Sequence, residues 1–131
     1  MELNLTRPIV FLDLETTGIK VATDKIVEIC MLRQNTDGST KIKTLRINPE
    51  MPIPPEVTAI HGISNEDVKD CPVFRQVAGE ISQFMENCDL AGYNSNHFDI
   101  PLLMEEFLRT GLDFELRGRR FGDVQNIFHR M

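Results

Sequence analysis

At 131 residues with three cysteines, the chain is the size of one domain with one hydrophobic core and needs no disulfide framework to fold. Twenty acidic residues against 14 basic ones leave a net charge of −6, which excludes a protein that holds nucleic acid mainly through a broad basic surface. No apolar run approaches the roughly 18 residues of a membrane span and no secretory leader is evident, so a reduced, cytoplasmic protein with no membrane partner is expected.

Residues 8–14, PIVFLDL, form a continuous apolar run rich in branched side chains, as expected of a central strand covered on both faces. KIVEICMLRQ, 25–34, reads as a second buried strand. The turn NTDGS leads into TKIKTLRIN, where lysines alternate with apolar residues, so the first third predicts three antiparallel strands with a charge-guarded outer strand. In the proline-rich stretch that follows, Pro54-Pro55 predict a helix start and Gly62 its stop. Ser64-Asn65-Glu66-Asp67 has the pattern of a capped short turn of helix.

From residue 74 onward, Phe74, Val77, Ala78, Ile81, Phe84 and Met85 fall on one helical stripe. CDLAGYN, 88–94, predicts a short parallel strand. A further helix is expected from near Phe98, with Pro101 in its first turn and Gly111 beyond its end. The closing stretch predicts a strand reaching Asp123 and the start of a helix. Three strands, then helix, strand, helix and strand, predict one α/β domain over residues 1–131 with a mixed sheet. Helical crossovers would set the later strands parallel to the first.

Asp13 and Glu15 interrupt the oily end of the first strand. Side chains alternate with period two, so both project from one face, at the strand end where ligands of open α/β sheets collect. Such a pair is either a solvated rim or an all-oxygen seat for Mg²⁺ or Mn²⁺. Asp99 falls in or just before the first turn of the later helix, where an aspartate suits the helix dipole without any further role. In the inferred sheet, however, the strand before Asp99 lies beside the one carrying Asp13, which would bring three carboxylates to one edge.

FLDLETTG, then HGIS, then YNSNHFDIPLL resemble, in order and spacing, the DEDD superfamily of 3′–5′ exonucleases, in the branch that contains the proofreading epsilon subunit of bacterial DNA polymerase III. The resemblance runs through essentially the whole chain. It implies a ribonuclease-H-like fold with a mixed five-stranded sheet of order 3-2-1-4-5, strand 2 antiparallel, with flanking helices. It also implies two-metal hydrolysis of phosphodiester bonds at a 3′ end. Asp13, Glu15 and Asp99 match the family's Mg²⁺ or Mn²⁺ ligands, which makes them the implied catalytic residues.

Implied substrate contacts fall on Thr16 and Thr17, the backbone around Glu15 and Thr16 meeting the terminal 3′-OH, and on Ile19 and Ile60, which would press against the last bases. His61 and Asn94 complete the implied set. The isoleucines read equally well as core, and His61 and His97 as loop histidines. The arginines at 117, 119, 120 and 130 suit either backbone phosphates or a solvated face.

The implied partners are a nucleic-acid 3′ end, single-stranded DNA foremost, and a DNA polymerase subunit. RNA trimming and a non-catalytic 3′-end or polymerase-binding module remain open alternatives. The family's third motif pairs a histidine or tyrosine with an aspartate four or five residues on, and none is present: His129 is followed by only two residues, and Asp123 matches an earlier family position. The chain therefore reads as ending before that motif and before the C-terminal helices, with weak or no hydrolysis expected of these residues alone.

Overall fold

β1 (Ile9–Thr16), β2 (Ile26–Gln34) and β3 (Thr40–Arg46) follow one another as an antiparallel meander. The computed structural model describes residues 7–92 and 98–111 and the backbone of residues 121–123. After the meander come α1 (Pro55–His61), α2 (Asn65–Val68), α3 (Phe74–Phe84), β4 (Asp89–Gly92), α4 (Ile100–Thr110) and β5 (Phe121–Asp123). The five strands lie in the order β3-β2-β1-β4-β5, with β4 parallel to β1 and β5 parallel to β4. This is the expected order and orientation.

Local chemistry sets the helix ends. Pro55 opens α1 with no amide to leave unpaired, and Gly62 stops it in the left-handed region at φ 79°, its N–H bonded to the Thr58 carbonyl at 2.7 Å. Ser64 and Asp67 cap α2 reciprocally, through Asp67 N–H to Ser64 Oγ at 3.2 Å and Ser64 N–H to Asp67 Oδ2 at 2.9 Å.

α3 and α4 pack against the same face of the sheet. Val10, Leu12 and Leu14 of β1, Ile29 and Met31 of β2 and Leu90 of β4 form one core with Phe74, Val77 and Ile81 of α3 and Leu102, Leu103 and Phe107 of α4. Phe74 and Phe107 meet edge to face, ring centres 5.2 Å apart. Truncating a side chain as enclosed as Leu102 to alanine would cost about 2–5 kcal/mol. A smaller core, Val27 with Ile53, Ile63 and Val68, seats α1 and α2 against the start of β2.

One expectation is corrected. The apolar run of β1 predicts cover on both faces, but among the described residues only the Leu12 side is fully packed. On the other side Ile9 is buried, Phe11 half-buried and Asp13 exposed, because α3 and α4 lie on the opposite face.

Candidate active site

β1 extends two residues past the apolar run, so Asp13 and Glu15 both lie within the strand and share a face. Asp13 stands opposite Cys30 and Glu15 opposite Glu28 of β2, and the register shifts between Glu15 and Thr16. Like charges facing across a sheet repel. Arg46 of β3 relieves part of this, donating from Nε and Nη2 to Glu28 Oε2 at 3.2 and 3.1 Å. Partial burial, then Glu28, push the Asp13 carboxyl above its usual range, partly offset by a hydrogen bond from the Leu14 backbone. For Glu15 burial acts first and Asp13 second; a protonated His61 pulls the other way, and Glu28 adds a further push upward. The corner is therefore electronegative and all-oxygen, a donor set that fits a hard divalent cation.

Beyond Glu15 the chain turns under the control of one carboxylate. Asp24 accepts the Thr17 hydroxyl at 2.8 Å through Oδ1 and the Lys20 N–H at 2.8 Å through Oδ2. Thr17 is 1% exposed, and its hydroxyl also accepts the Lys25 N–H at 3.0 Å. Its side chain thus holds the turn, and any contact this residue makes with a substrate falls to its backbone. Thr16 keeps its hydroxyl on the Gly18 carbonyl at 2.7 Å. A Cβ on Gly18 would lie 2.5 Å from Asp24 Oδ2, so a close approach requires this glycine, and its φ is not left-handed. Ile19 then projects into solvent, 87% exposed.

The end of α1 meets the same corner. His61 Nδ1 accepts the Ile63 N–H at 3.1 Å, which leaves Nε2–H to donate to the Thr16 carbonyl at 3.0 Å. Both ring nitrogens are engaged. His61 thereby ties the end of α1 to the end of β1. Ile60 beside it is 84% exposed. The structure thus decides against core packing for Ile19 and Ile60 and brings both toward the end of β1.

Asp99 stands at the N-terminus of α4, 4% exposed, and its side chain does not cap the helix. β4 ends at Gly92, paired with Leu12, one residue short of Asp13, so the chain leaves β4 at the acid-bearing end of the sheet. Among the described residues, no three His, Cys, Asp or Glu side chains are gathered so as to hold a metal ion. Asp13 and Glu15 are together, and Asp99 is not closed into one cluster with them. Asn94, His97, His129 and the arginines at 117, 119, 120 and 130 lie outside the described residues.

Four further residues shape this corner and were not singled out in the sequence: Glu28, Asp24, Glu106 and Arg109. Glu106, 3% exposed, accepts the Ile26 N–H at 2.9 Å and Arg109 Nη1 at 3.0 Å. An acid three residues before an arginine is the usual pattern of an exposed helix pair, so only the apolar stripe around Glu106 hinted at burial.

Comparison with known proteins agrees with this architecture. Over 122 residues the chain is 31% identical to a PolC-type DNA polymerase III of Caldanaerobacter subterraneus subsp. tengcongensis, covering 87% of this chain and 8% of that protein. Over 94 residues it is 32% identical to the DNA polymerase III subunit epsilon of Treponema pallidum, covering 72% of this chain and 43% of that one. E. coli exonuclease I in complex with a dT13 oligonucleotide superposes with a TM-score of 0.81 over 95% of this chain and 29% of its own, and at 18% identity that likeness speaks for the fold alone. The chain spans less than half the length of each of these relatives. No helix of the described residues is long and apolar enough to cross a membrane. Residues 10–121, from β1 into β5, match the family model described as exonuclease, and the chain belongs to this RNase_T exonuclease family.

Proposed function

We propose that this chain is the metal-binding core of a 3′–5′ exonuclease that hydrolyses phosphodiester bonds at nucleic-acid 3′ ends in DNA proofreading or repair. Asp13, Glu15 and Asp99 would hold Mg²⁺ or Mn²⁺. The observation that carries the reading is the pairing of two features at one strand end: an electronegative, all-oxygen corner at Asp13 and Glu15, and two large apolar side chains, Ile19 and Ile60, left in solvent beside it. Apolar side chains that press on base faces accept any sequence, which suits an enzyme working inward from an end.

Divalent cations at such a set supply activation of water and neutralisation of charge on the departing 3′ oxygen. The chain's own residues do the rest. Asp13 and Glu15 present their oxygens from a rigid strand, His61 fixes the Thr16 carbonyl, and Ile19 and Ile60 stop the terminal bases. A net charge of −6 repels a polyanion, so end binding should depend on the cation. Single-stranded DNA is the proposed substrate, in keeping with the oligonucleotide held by exonuclease I. A polymerase is the proposed partner, in keeping with the epsilon and PolC relatives.

Calorimetry with Mn²⁺, alongside digestion of 5′-labelled DNA and RNA strands, tests this. Asp13→Asn and Glu15→Gln should each weaken Mn²⁺ binding by at least roughly tenfold. The DNA label should shorten one nucleotide at a time from the 3′ end. The 131 residues hold no histidine or tyrosine with an aspartate four or five positions on. Turnover by these residues alone should therefore be slower by about 10²–10⁴ than in a form that has that pair. Metal binding untouched by both substitutions would overturn the reading, and preferential shortening of RNA would move the substrate to RNA.

A further inference from the structure

Residues 20–25 connect the turn at Gly18 to β2, and they are held from the far end of α4. Arg109 Nη2 donates to the carbonyls of Val21 at 3.2 Å and Ala22 at 3.1 Å, and Nη1 donates to the Asp24 carbonyl at 3.1 Å. Nη1 also meets Glu106 Oε1 at 3.0 Å, while Glu106 Oε2 takes the first amide of β2, Ile26 N–H, at 2.9 Å. An arginine in a last helical turn ordinarily stays in solvent beside a local acid, and here Glu105 is available at 3.9 Å. Reaching past it to three main-chain carbonyls 85–88 positions upstream is a different arrangement.

We propose that Arg109, oriented by the buried carboxylate of Glu106, is a positioning residue that holds the 20–25 segment so that Ile19 stands at the acid-bearing end of β1. The chain of contacts is continuous. Arg109 grips the Asp24 main chain; the Asp24 side chain grips Thr17 and Lys20; Gly18 packs against that carboxylate; and Ile19 lies between them. Glu106 follows Asp99 by seven residues, about two turns of the same helix. One rigid element therefore carries the third candidate metal ligand at its start and the loop anchor near its end, which couples the position of the apolar stop to that of Asp99.

The chemistry asks for arginine. Its planar fork spans several acceptors at once, and a lysine ammonium on a flexible stem cannot. A cavity of about 180 Å³, lined in part by Lys25, Phe74, Glu106 and Arg109, adjoins the anchor, so water can solvate the carbonyls when the guanidinium is removed. Arg109→Lys and Arg109→Ala are therefore expected to fold.

The functional part of this inference rests on the exonuclease reading, and the test separates the two. In the 131-residue chain, amide hydrogen exchange over residues 19–25 should quicken by roughly tenfold in Arg109→Lys, with exchange in the β2–β3 turn unchanged. Binding of a single-stranded DNA 3′ end, followed by fluorescence anisotropy with Mn²⁺, should weaken by about tenfold in Arg109→Ala and in Ile19→Ala, and by no more in the double variant, because both remove the same contact. Leu108→Ala, exposed on the same helix, should leave both readouts unchanged. Unchanged exchange in Arg109→Lys, or additive losses in the double variant, would overturn the positioning role. A wild-type chain that binds no 3′ end would instead overturn the exonuclease reading, with exchange still deciding whether Arg109 holds the loop.

Discussion

The connection from β2 to β3 closes within five residues, whereas the one from β1 to β2 is held from a helix 85 or more positions along the chain. In the first, Asn35 N–H bonds the Ser39 carbonyl at 2.9 Å, and Gly38, at φ 91°, returns its N–H to the Asn35 carbonyl at 3.0 Å. Asp37 takes the Ser39 amide and hydroxyl at 2.9 and 2.6 Å. The second has a comparable internal carboxylate in Asp24, but it also needs Glu106 and Arg109. A turn that only reverses the chain can be built from its own residues. A loop that must aim a side chain at a distant group has to be fixed to the element carrying that group, and α4 does this here.

The largest effect should come from the corner that the β1–β2 connection serves. Asp13→Asn is expected to lower Mn²⁺-dependent turnover by about 10²–10⁴ in a form that has all the family's motifs, while raising the midpoint of thermal unfolding in metal-free buffer. Calorimetric scans with and without Mn²⁺ check the crossing. At a hundredfold excess over Kd, metal should stabilise the wild type by about 2.7 kcal/mol and the variant by far less. A variant stabilised by Mn²⁺ as much as the wild type would remove the corner from the site and leave the two connections functionally alike.

Next in size are the anchors. Glu106→Ala leaves the Ile26 amide without its buried acceptor while Arg109 keeps its three carbonyls, and this should cost about 1–3 kcal/mol in urea unfolding. Gly18→Ala forces a methyl against an Asp24 carboxylate already bonded on both oxygens, and a loss of about 1–3 kcal/mol is expected. Similar losses from Gly38→Ala, where nothing lies within 4 Å, would trace to its positive φ rather than to crowding.

How far these features were legible follows from how local they are. The helix ends at Pro54-Pro55, Gly62 and Ser64–Asp67 were readable because their partners sit within four residues. Asp13 and Glu15 were readable because charge at the tip of an apolar strand is anomalous in itself. The constraint at Gly18 is the Asp24 carboxylate beside it, which no spacing reveals. The exposure of Ile19 and Ile60 could not be inferred from residue type, since isoleucine is ordinarily core. Glu106 and Arg109 carried the pattern of a surface pair, and Glu28 became part of the corner only once the β1–β2 register set it opposite Glu15.

The smallest effects are those of acid, and they differ in sign between the two regions. In the β2–β3 turn, hydrogen bonds from the Ser39 hydroxyl and amide hold the Asp37 carboxyl below its ordinary 3.8, and Ser64 does the same for Asp67 at the α2 cap. A carboxyl lowered in the fold contributes stability that is full above 3.8 and is lost as pH falls through the lower folded value. Asp13 and Glu15 are raised above 3.8 and 4.5, so their contribution is full below those values and is lost as pH rises through the folded ones. Acidification from neutrality should first relieve the β1 corner and only below 3.8 loosen the turn and the cap. Side-chain carboxyl shifts followed by NMR should show Asp13 titrating above Asp37. Adding Mg²⁺ should pull Asp13 downward past its ordinary value and leave Asp37 where it was, because a cation favours the ionised form only of the carboxylates that ligate it. An Asp13 titration indifferent to Mg²⁺ would mean that the electronegative corner is a solvated rim, and that the long-range anchoring of its loop serves the fold alone.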